Sequence, residues 1–329
     1  MAVTIIGAGP AGASAALGCL AAGGEAVLVD RSRVRKHRVC GEFLSAEIEP
    51  LLRRFRLWDE FRSVGPNRTL RLGLHFAGVS RWARLPQPAW GMSRERFDSL
   101  LLDAALERGA RWGDAGASTP RVLAHGRADS APRGERLFGF KAHYDARVTD
   151  SVELFFFDGC YVGVNTVERD VTNVCGVGPE SVLRGIGFNA DGLLDRLPAL
   201  RERLAGARRR WDWLKTGPLV FGHRFSEPVE GGVYRAGDAL SFVDPFTGSG
   251  LVAAVFTGES AGRAAANGEG VEAHLQRCRM AMGNPFAAAS AMRWAWRSGW
   301  AGPLLRVTKV PLGWLVGLTR PLVKLNQEA

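Results

Sequence analysis

The sequence predicts an α/β fold: a Rossmann-like dinucleotide-binding domain, discontinuous in sequence, joined to a β-sheet substrate domain and followed by a helical C-terminal tail. Three observations carry this. Residues 2–30 read as strand, glycine-rich turn, helix and strand; residues 137–178 read as a run of strands; and a second strand, glycine turn and helix begin near residue 232.

The first strand is the apolar run Val3-Thr4-Ile5-Ile6. It leads into GAGPAGAS and an alanine-rich helix through Ala22, ended by Gly23-Gly24; Glu25–Val29 form the second strand, closed by Asp30. A basic loop, RSRVRKHRVCGE, spans Arg31 to Glu42. Residues 45–63 are expected to be helical, 69–85 strand-like and Met92–Gly109 an amphipathic helix. VELFFF and YVGVNTV supply strands within 137–178. Residues 191–213 are expected to be helical and to carry Arg208-Arg209-Arg210. The strand Gly232–Ala236 runs into GDALSFVDPFTGSG and a long helix to about Asn267. The tail, 272–329, is expected to be mostly helical, with interruptions at Pro285, Pro303, Pro311 and Pro321.

Composition narrows the classes. The 329 residues suffice for one large domain or two modest ones sharing a core, and 46% hydrophobic with 23% charged residues exclude general disorder. The net charge of +10 favours anionic partners such as nucleotide phosphates or an acidic membrane surface. Nucleic acid is not expected, because zinc-finger spacing, a basic zipper and an aromatic RNA-binding signature are all missing. Cys19, Cys40, Cys160, Cys175 and Cys278 are scattered and never form C-x-x-C, which argues against a disulfide framework and against a metal site. No basic leader precedes the first strand and no uncharged stretch is long enough to span a bilayer, so a cytoplasmic location is expected.

The first glycine cluster has its chemistry in the right place. Gly7 permits the tight turn out of the strand, Gly9 lets backbone approach a pyrophosphate, and Gly12 allows the helix to pack on the sheet. Pro10 and Ala11 begin the helix whose free N–H groups and dipole face the phosphates. Asp30, about 18 residues beyond Gly12, is placed to bind adenosine ribose hydroxyls, with Arg31 and Arg38 in the loop that follows. This cluster alone does not separate FAD from NAD. The alternative is a glycine turn in some other α/β protein.

The second cluster separates them. A strand delivers Gly237-Asp238, whose carboxylate can accept hydrogen bonds from a ribityl chain. Pro245, Gly248, Ser249, Gly250 and Leu251 then turn into a helix whose positive end suits the anionic N1–O2 edge of a reduced flavin. Without a ligand, the same pattern is a plain strand-turn-helix crossover.

Together, GAGPAGAS with Asp30, the RVCGEFLS loop, the MSRERFDSLL helix start and AGDALSFVDPFTGSG make the chain resemble the FAD-dependent para-hydroxybenzoate hydroxylase and geranylgeranyl reductase superfamily over most of residues 1–265. The resemblance implies FAD as cofactor, with Asp238 and Gly250 near ribityl and pyrophosphate, Arg94 against the FAD, and Cys40, Gly41 and Glu42 near the isoalloxazine. It implies an FAD-binding domain over 1–65, 91–136 and 231–267, a substrate domain over 66–90 and 137–230, and a C-terminal helical region over 268–329.

The chain also departs from that pattern. An Asp-Gly motif common in the superfamily is matched by AHGRADS, with His125 in place of aspartate, and the stretch Arg111–Leu123 is short for the usual strand meander. His125 reads more simply as a surface-loop histidine. The aromatic element of the reductases is replaced by CYVGVNTVE, with Gly163 and Asn165. Hydroxylation is therefore preferred over double-bond reduction. The CGEFLS loop resembles flavoproteins of polyketide and lipid pathways and points to secondary metabolism.

Phe155–Phe157 and Tyr161 suit a lipophilic or aromatic substrate, although alternate strand residues also simply fill a core. Cys40 and Glu42 are the candidate catalytic residues: the thiol is expected to have a lowered pKa beside Arg35, Lys36 and Arg38, and Glu42 to serve acid-base work. With no second dinucleotide fingerprint, NAD(P)H is expected as a transient electron donor. Trp294, Trp296, Trp300 and Trp314, interleaved with Arg297, Arg306, Lys309, Arg320 and Lys324, suit peripheral contact with the inner membrane surface through 294–325, or ordinary packing on the fold. A flavin-binding accessory protein without turnover is the alternative to an enzyme.

Overall fold

A computed structural model describes residues 2–76, 79–114, 122–127, 136–223, 225, 232–242, 245–298 and 317–321. Its first element, β1 (Ala2–Ile6), turns through the glycine loop into α1 (Pro10–Ala21) and returns as β2 (Glu25–Val29), as the apolar runs and their glycine breaks dictate. The basic loop ends in β3 (Phe43–Leu44), and the region read as one helix is two, α2 (Ile48–Arg54) and α3 (Trp58–Ser63). Two long strands follow, β4 (Asn67–Phe76) and β5 (Val79–Gly91), then α4 (Arg94–Glu107), whose N-cap Ser93 accepts from the Arg96 amide.

The short strands β6 (Arg111–Trp112) and β7 (Val122–Leu123) precede the antiparallel run β8 (Leu137–Asp145), β9 (Ser151–Phe157), β10 (Cys160–Thr166) and β11 (Thr172–Pro179). Three short helices come next: α5 (Glu180–Arg184), α6 (Ala190–Leu194) and α7 (Pro198–Arg203). Arg208-Arg209, expected to be helical, instead form β12 on the edge of β8, because Arg208 and Arg210 reach the Asp145 carboxylate there. The short strands β13 (Leu214–Leu219), β14 (Gly222–His223), β15 (Tyr234–Arg235) and β16 (Ser241–Phe242) lead to α8 (Gly250–Asn267) and α9 (Val271–Arg297). Pro285 does not interrupt α9; it is buried within one continuous helix. Pro303 and Pro311 lie outside the described residues.

These elements form two main sheets. One is five-stranded and parallel in the order β15-β7-β1-β2-β6, the doubly wound arrangement. The other is nine-stranded in the order β12-β8-β11-β10-β9-β4-β5-β3, with β13 also pairing β8 and only the β4–β9 pair parallel. Strand β3 joins this second sheet through Phe43–Gly91 and Leu44–Trp90, so the basic loop crosses from one sheet to the other. The parallel sheet, α1, α4 and α8 share one apolar core. A second core lies between one face of the large sheet and the short helices, holding Phe140, Ala142, Tyr144 and Phe155.

Helices α1 and α8 meet backbone to backbone. A Cβ on Gly258 would stand 2.1 Å from the Ala11 carbonyl oxygen, and one on Gly262 1.8 Å from that of Ala15. That approach sets the first half of α1 against the second half of α8 with both N-termini pointing the same way.

Candidate active site

Both turns carry the marks of anion sites. Gly7 has φ of +101°, and a Cβ there would strike the Ala124 carbonyl oxygen at 2.4 Å. A Cβ on Gly12 would lie 1.8 Å from the Gly7 oxygen, whereas Gly9, Gly41 and Gly250 face open space. The starts of α1 and α8, behind Gly9 and Ser249, have no side-chain cap and no acid in their first turns. Free N–H groups there suit phosphate and an anionic ring edge. Pro10, Ala11 and Leu251 are buried in those first turns.

The Asp30 carboxylate accepts from the Ala8 amide at 2.6 Å and the Ser32 amide at 2.9 Å, which fixes it at the mouth of the first turn. The arginine beside it is Arg35, 3.7 Å from Asp30 and donating to the Ala8 carbonyl at 3.0 Å. Arg31 and Arg38 are exposed. Asp238 is exposed, and desolvation by the surrounding protein raises its carboxyl against the pull of Arg94 and Arg127. Arg94 forms a bidentate ion pair with Asp98 at 2.7 and 2.8 Å, and Asp98 keeps the guanidinium charged despite burial. His125 is exposed in its loop. In the second cluster, Pro245–Thr247 form a single 3-10 turn followed by Gly248. The Arg320 guanidinium donates to the Thr247 carbonyl at 3.0 Å, so this part of the tail braces the turn.

The CGE loop is built differently from expectation. Burial pushes the Cys40 thiol up, outweighing the Arg94 and Lys141 charges, so the basic neighbourhood does not activate it. Glu42 is fully buried with backbone φ of 53°, a left-handed conformation that costs an L residue free energy. Hydrogen bonds and ion pairs on both its side chain and its backbone hold it there. The Arg94 amide donates to Oε1 at 2.7 Å, the Lys141 ammonium sits on the same oxygen, His143 Nε2 lies 2.7 Å from Oε2, and the Met92 amide donates to its carbonyl at 3.2 Å. Burial alone would raise the Glu42 carboxyl, but Lys141 and His143 hold it below the usual carboxylate range. The Asn173 amide donates to the Cys40 and Gly41 carbonyls at 3.2 and 2.9 Å, and the Asn165 amide to that of Glu42 at 3.3 Å.

Sequence reasoning missed Lys141, His143, Asn165 and Asn173. Their signal was there: polar side chains at alternate positions of otherwise apolar strands. His143, Asn173 and Asn165 are register partners across β8, β11 and β10, and Lys141 pairs with Cys175 in the next row. One further row along, Tyr161 pairs with Val177 and Phe156. The sheet face opposite the second core thus passes from polar to aromatic. At the aromatic end, Phe156 meets Trp296 at 5.3 Å between ring centres, and Phe246 of the glycine turn meets Tyr161 at 6.2 Å. Of the phenylalanine run, Phe156 faces this wall, while Phe155 and Phe157 pack on the second core. Trp294 is exposed; Trp300, Trp314, Arg306, Lys309 and Lys324 lie outside the described residues.

His37, Glu42 and His143 each bring a donor atom within 4.8 Å of the others. Because the Lys141 ammonium already occupies the Glu42 carboxylate, an ion pair with a metal would have to displace it.

With its parallel sheet, paired glycine turns and mostly antiparallel second sheet, the chain has a fold shared with solved flavin-dependent enzymes. Residues 1–121 match the family described as FAD binding domain. No curated protein matches the sequence. Among solved structures, the chain is similar to the flavin-dependent brominase Bmp2, with 18% identity, TM-score 0.80 and 96% and 94% of the two chains covered. It is similar to a flavoprotein/dehydrogenase from Cytophaga hutchinsonii, with 16% identity, TM-score 0.75 and coverage of 91% and 87%. It is also similar to halogenase PltM solved in complex with FAD, with 16% identity, TM-score 0.71 and coverage of 89% and 76%.

Proposed function

We propose that the chain is an FAD-dependent oxidoreductase that takes electrons from NAD(P)H and acts on a lipophilic or aromatic small molecule. The carrying observation is that Phe246 belongs both to the second glycine turn and to the aromatic wall of Phe156, Tyr161 and Trp296. Cofactor turn and apolar surface are thus one continuous structure. In this reading Gly7, Gly9, Gly12 and Asp30 hold the adenosine and pyrophosphate, and Asp238 with the start of α8 holds the flavin end. The bound flavin supplies the redox chemistry; the chain's own residues bind, orient and exclude water.

Hydroxylation is the preferred reaction over double-bond reduction, supported by Gly163 and Asn165 standing where the reductase element would be. Halogenation is a second reading, favoured by the halogenases among the structural neighbours. The test is an absorbance spectrum of the purified protein, followed anaerobically as NADPH is added. Flavin bands that bleach support the enzyme; flavin bands that never bleach with any nicotinamide favour an accessory protein. A colourless protein that rejects added FAD overturns the reading. Oxygen uptake with bromide present then separates halogenation from hydroxylation by the product's mass.

A further inference from the structure

One line of titratable side chains runs from the surface to the inner end of the CGE loop. Side-chain exposure falls along it from 49% at Glu95 through 32% at His37 and 5% at His143 to 0% at Glu42 and Lys141. His37 Nε2 lies 3.5 Å from Glu95 Oε2, and His37 Nδ1 is buried without a hydrogen-bond partner. Its ring meets that of His143 edge-on at 4.9 Å, and Trp211 stacks on it at 5.3 Å, fixing its plane. The donor atoms of His37, His143 and Glu42 lie within 4.8 Å of one another, a span short enough for one bridging water. His143 then touches Glu42, and Glu42 touches Lys141.

The geometry points to a proton relay, Glu95–His37–His143–Glu42–Lys141, joining solvent to the flavin side of the CGE loop. It deepens the functional reading above and rests on it. Hydride transfer balances only with a proton: NAD(P)H, FAD and H⁺ give NAD(P)⁺ and FADH₂. The proton comes from outside, whichever substrate is later oxidised or reduced. Glu42 holds its positive φ while the Arg94 amide, Lys141 and His143 grip its carboxylate. Burial, with Lys141 and His143 nearby, pushes His37 below the ordinary imidazole value, which favours the neutral ring. The charged groups facing the line are Glu95, Lys141 and Arg94, the last neutralised by Asp98.

Proton uptake tests this directly. FAD-loaded protein is photoreduced anaerobically with EDTA in weak buffer, and a pH-indicator dye reports uptake beside flavin bleaching. H37Q and H143Q are expected to slow uptake about tenfold or more, and free imidazole to restore it in H37A. Uptake at the unsubstituted rate in both Gln variants overturns the relay. A second arm needs no FAD: in ¹⁵N-histidine-labelled protein, E42Q is expected to move the titrations of both His37 and His143. Titrations that E42Q leaves unmoved overturn the relay. If the chain holds no FAD, the functional reading fails while the ring titrations still decide the relay.

Discussion

Lys141 lies in β8 between Phe140 and Ala142 of the second core, and its own ammonium is fully buried against Glu42. Removing one member of such a pair leaves an uncompensated charge. Lys141→Met is expected to cost about 3–5 kcal/mol in urea unfolding, and adding Glu42→Leu to recover part of it. The Glu42 carboxyl is held below its ordinary value of 4.5. The pair's stabilisation is therefore present above that pH and lost as pH falls through the folded value. Cys40→Ser is expected to leave FAD retention nearly intact, whereas Asp238→Ala strips FAD on gel filtration; equal retention would remove Asp238 from the site. The thiol illustrates what a linear reading cannot see. Arg35, Lys36 and Arg38 are adjacent in sequence, but Arg35 turns to Ala8 and Arg38 to solvent, leaving burial to set the pKa.

At the scale of elements, α1 and α8 were legible because their glycines, alanines and strand neighbours all agree. Their contact was not, since it joins helix segments far apart in sequence. Gly262→Val in α8 is expected to drive a side chain into the Ala15 carbonyl and cost about 3 kcal/mol, with FAD loss in parallel. Gly283→Ala in α9, where the nearest atom is 3.7 Å away, is expected to stabilise slightly, and thermal melts distinguish the two. Helix α9 also docks through His274, which lies 3.0 Å from the Ser260 hydroxyl and 2.9 Å from the Arg235 carbonyl. Burial lowers its pKa from 6.5 to about 4. The unfolded chain takes up a proton below pH 6.5 that the folded chain refuses until about pH 4, so stability falls across that window by about 3 kcal/mol. His274→Gln is expected to flatten that part of the pH profile of unfolding. Pro285 shows the opposite limit of sequence signals: a breaker by rule, it is overridden by burial within the same helix.

Across the whole molecule, the parallel sheet and the glycine turns were readable because both depend on local pattern. The union of the two sheets was not, because it rests on Phe43–Gly91 pairing and on asparagines from β10 and β11 reaching the CGE loop. One expected consequence is that ligand binding reaches both sheets. FAD at a hundredfold excess over its Kd is expected to stabilise the fold by about 2.7 kcal/mol. Hydrogen-exchange protection should extend into β8 and β11; protection confined to the parallel sheet would refute that linkage. The graded face of the large sheet has a further meaning. Tyr161 and Asn165 stand four residues apart on β10, about 13 Å at the rise of a strand. Under the proposed function, a guest seated with its greasy end on the aromatic row reaches the polar row only if it is long enough. Chain length, rather than any recognised functional group, would then choose which carbon is presented for reaction, and a homologous series of substrates would show regiochemistry shifting one methylene at a time.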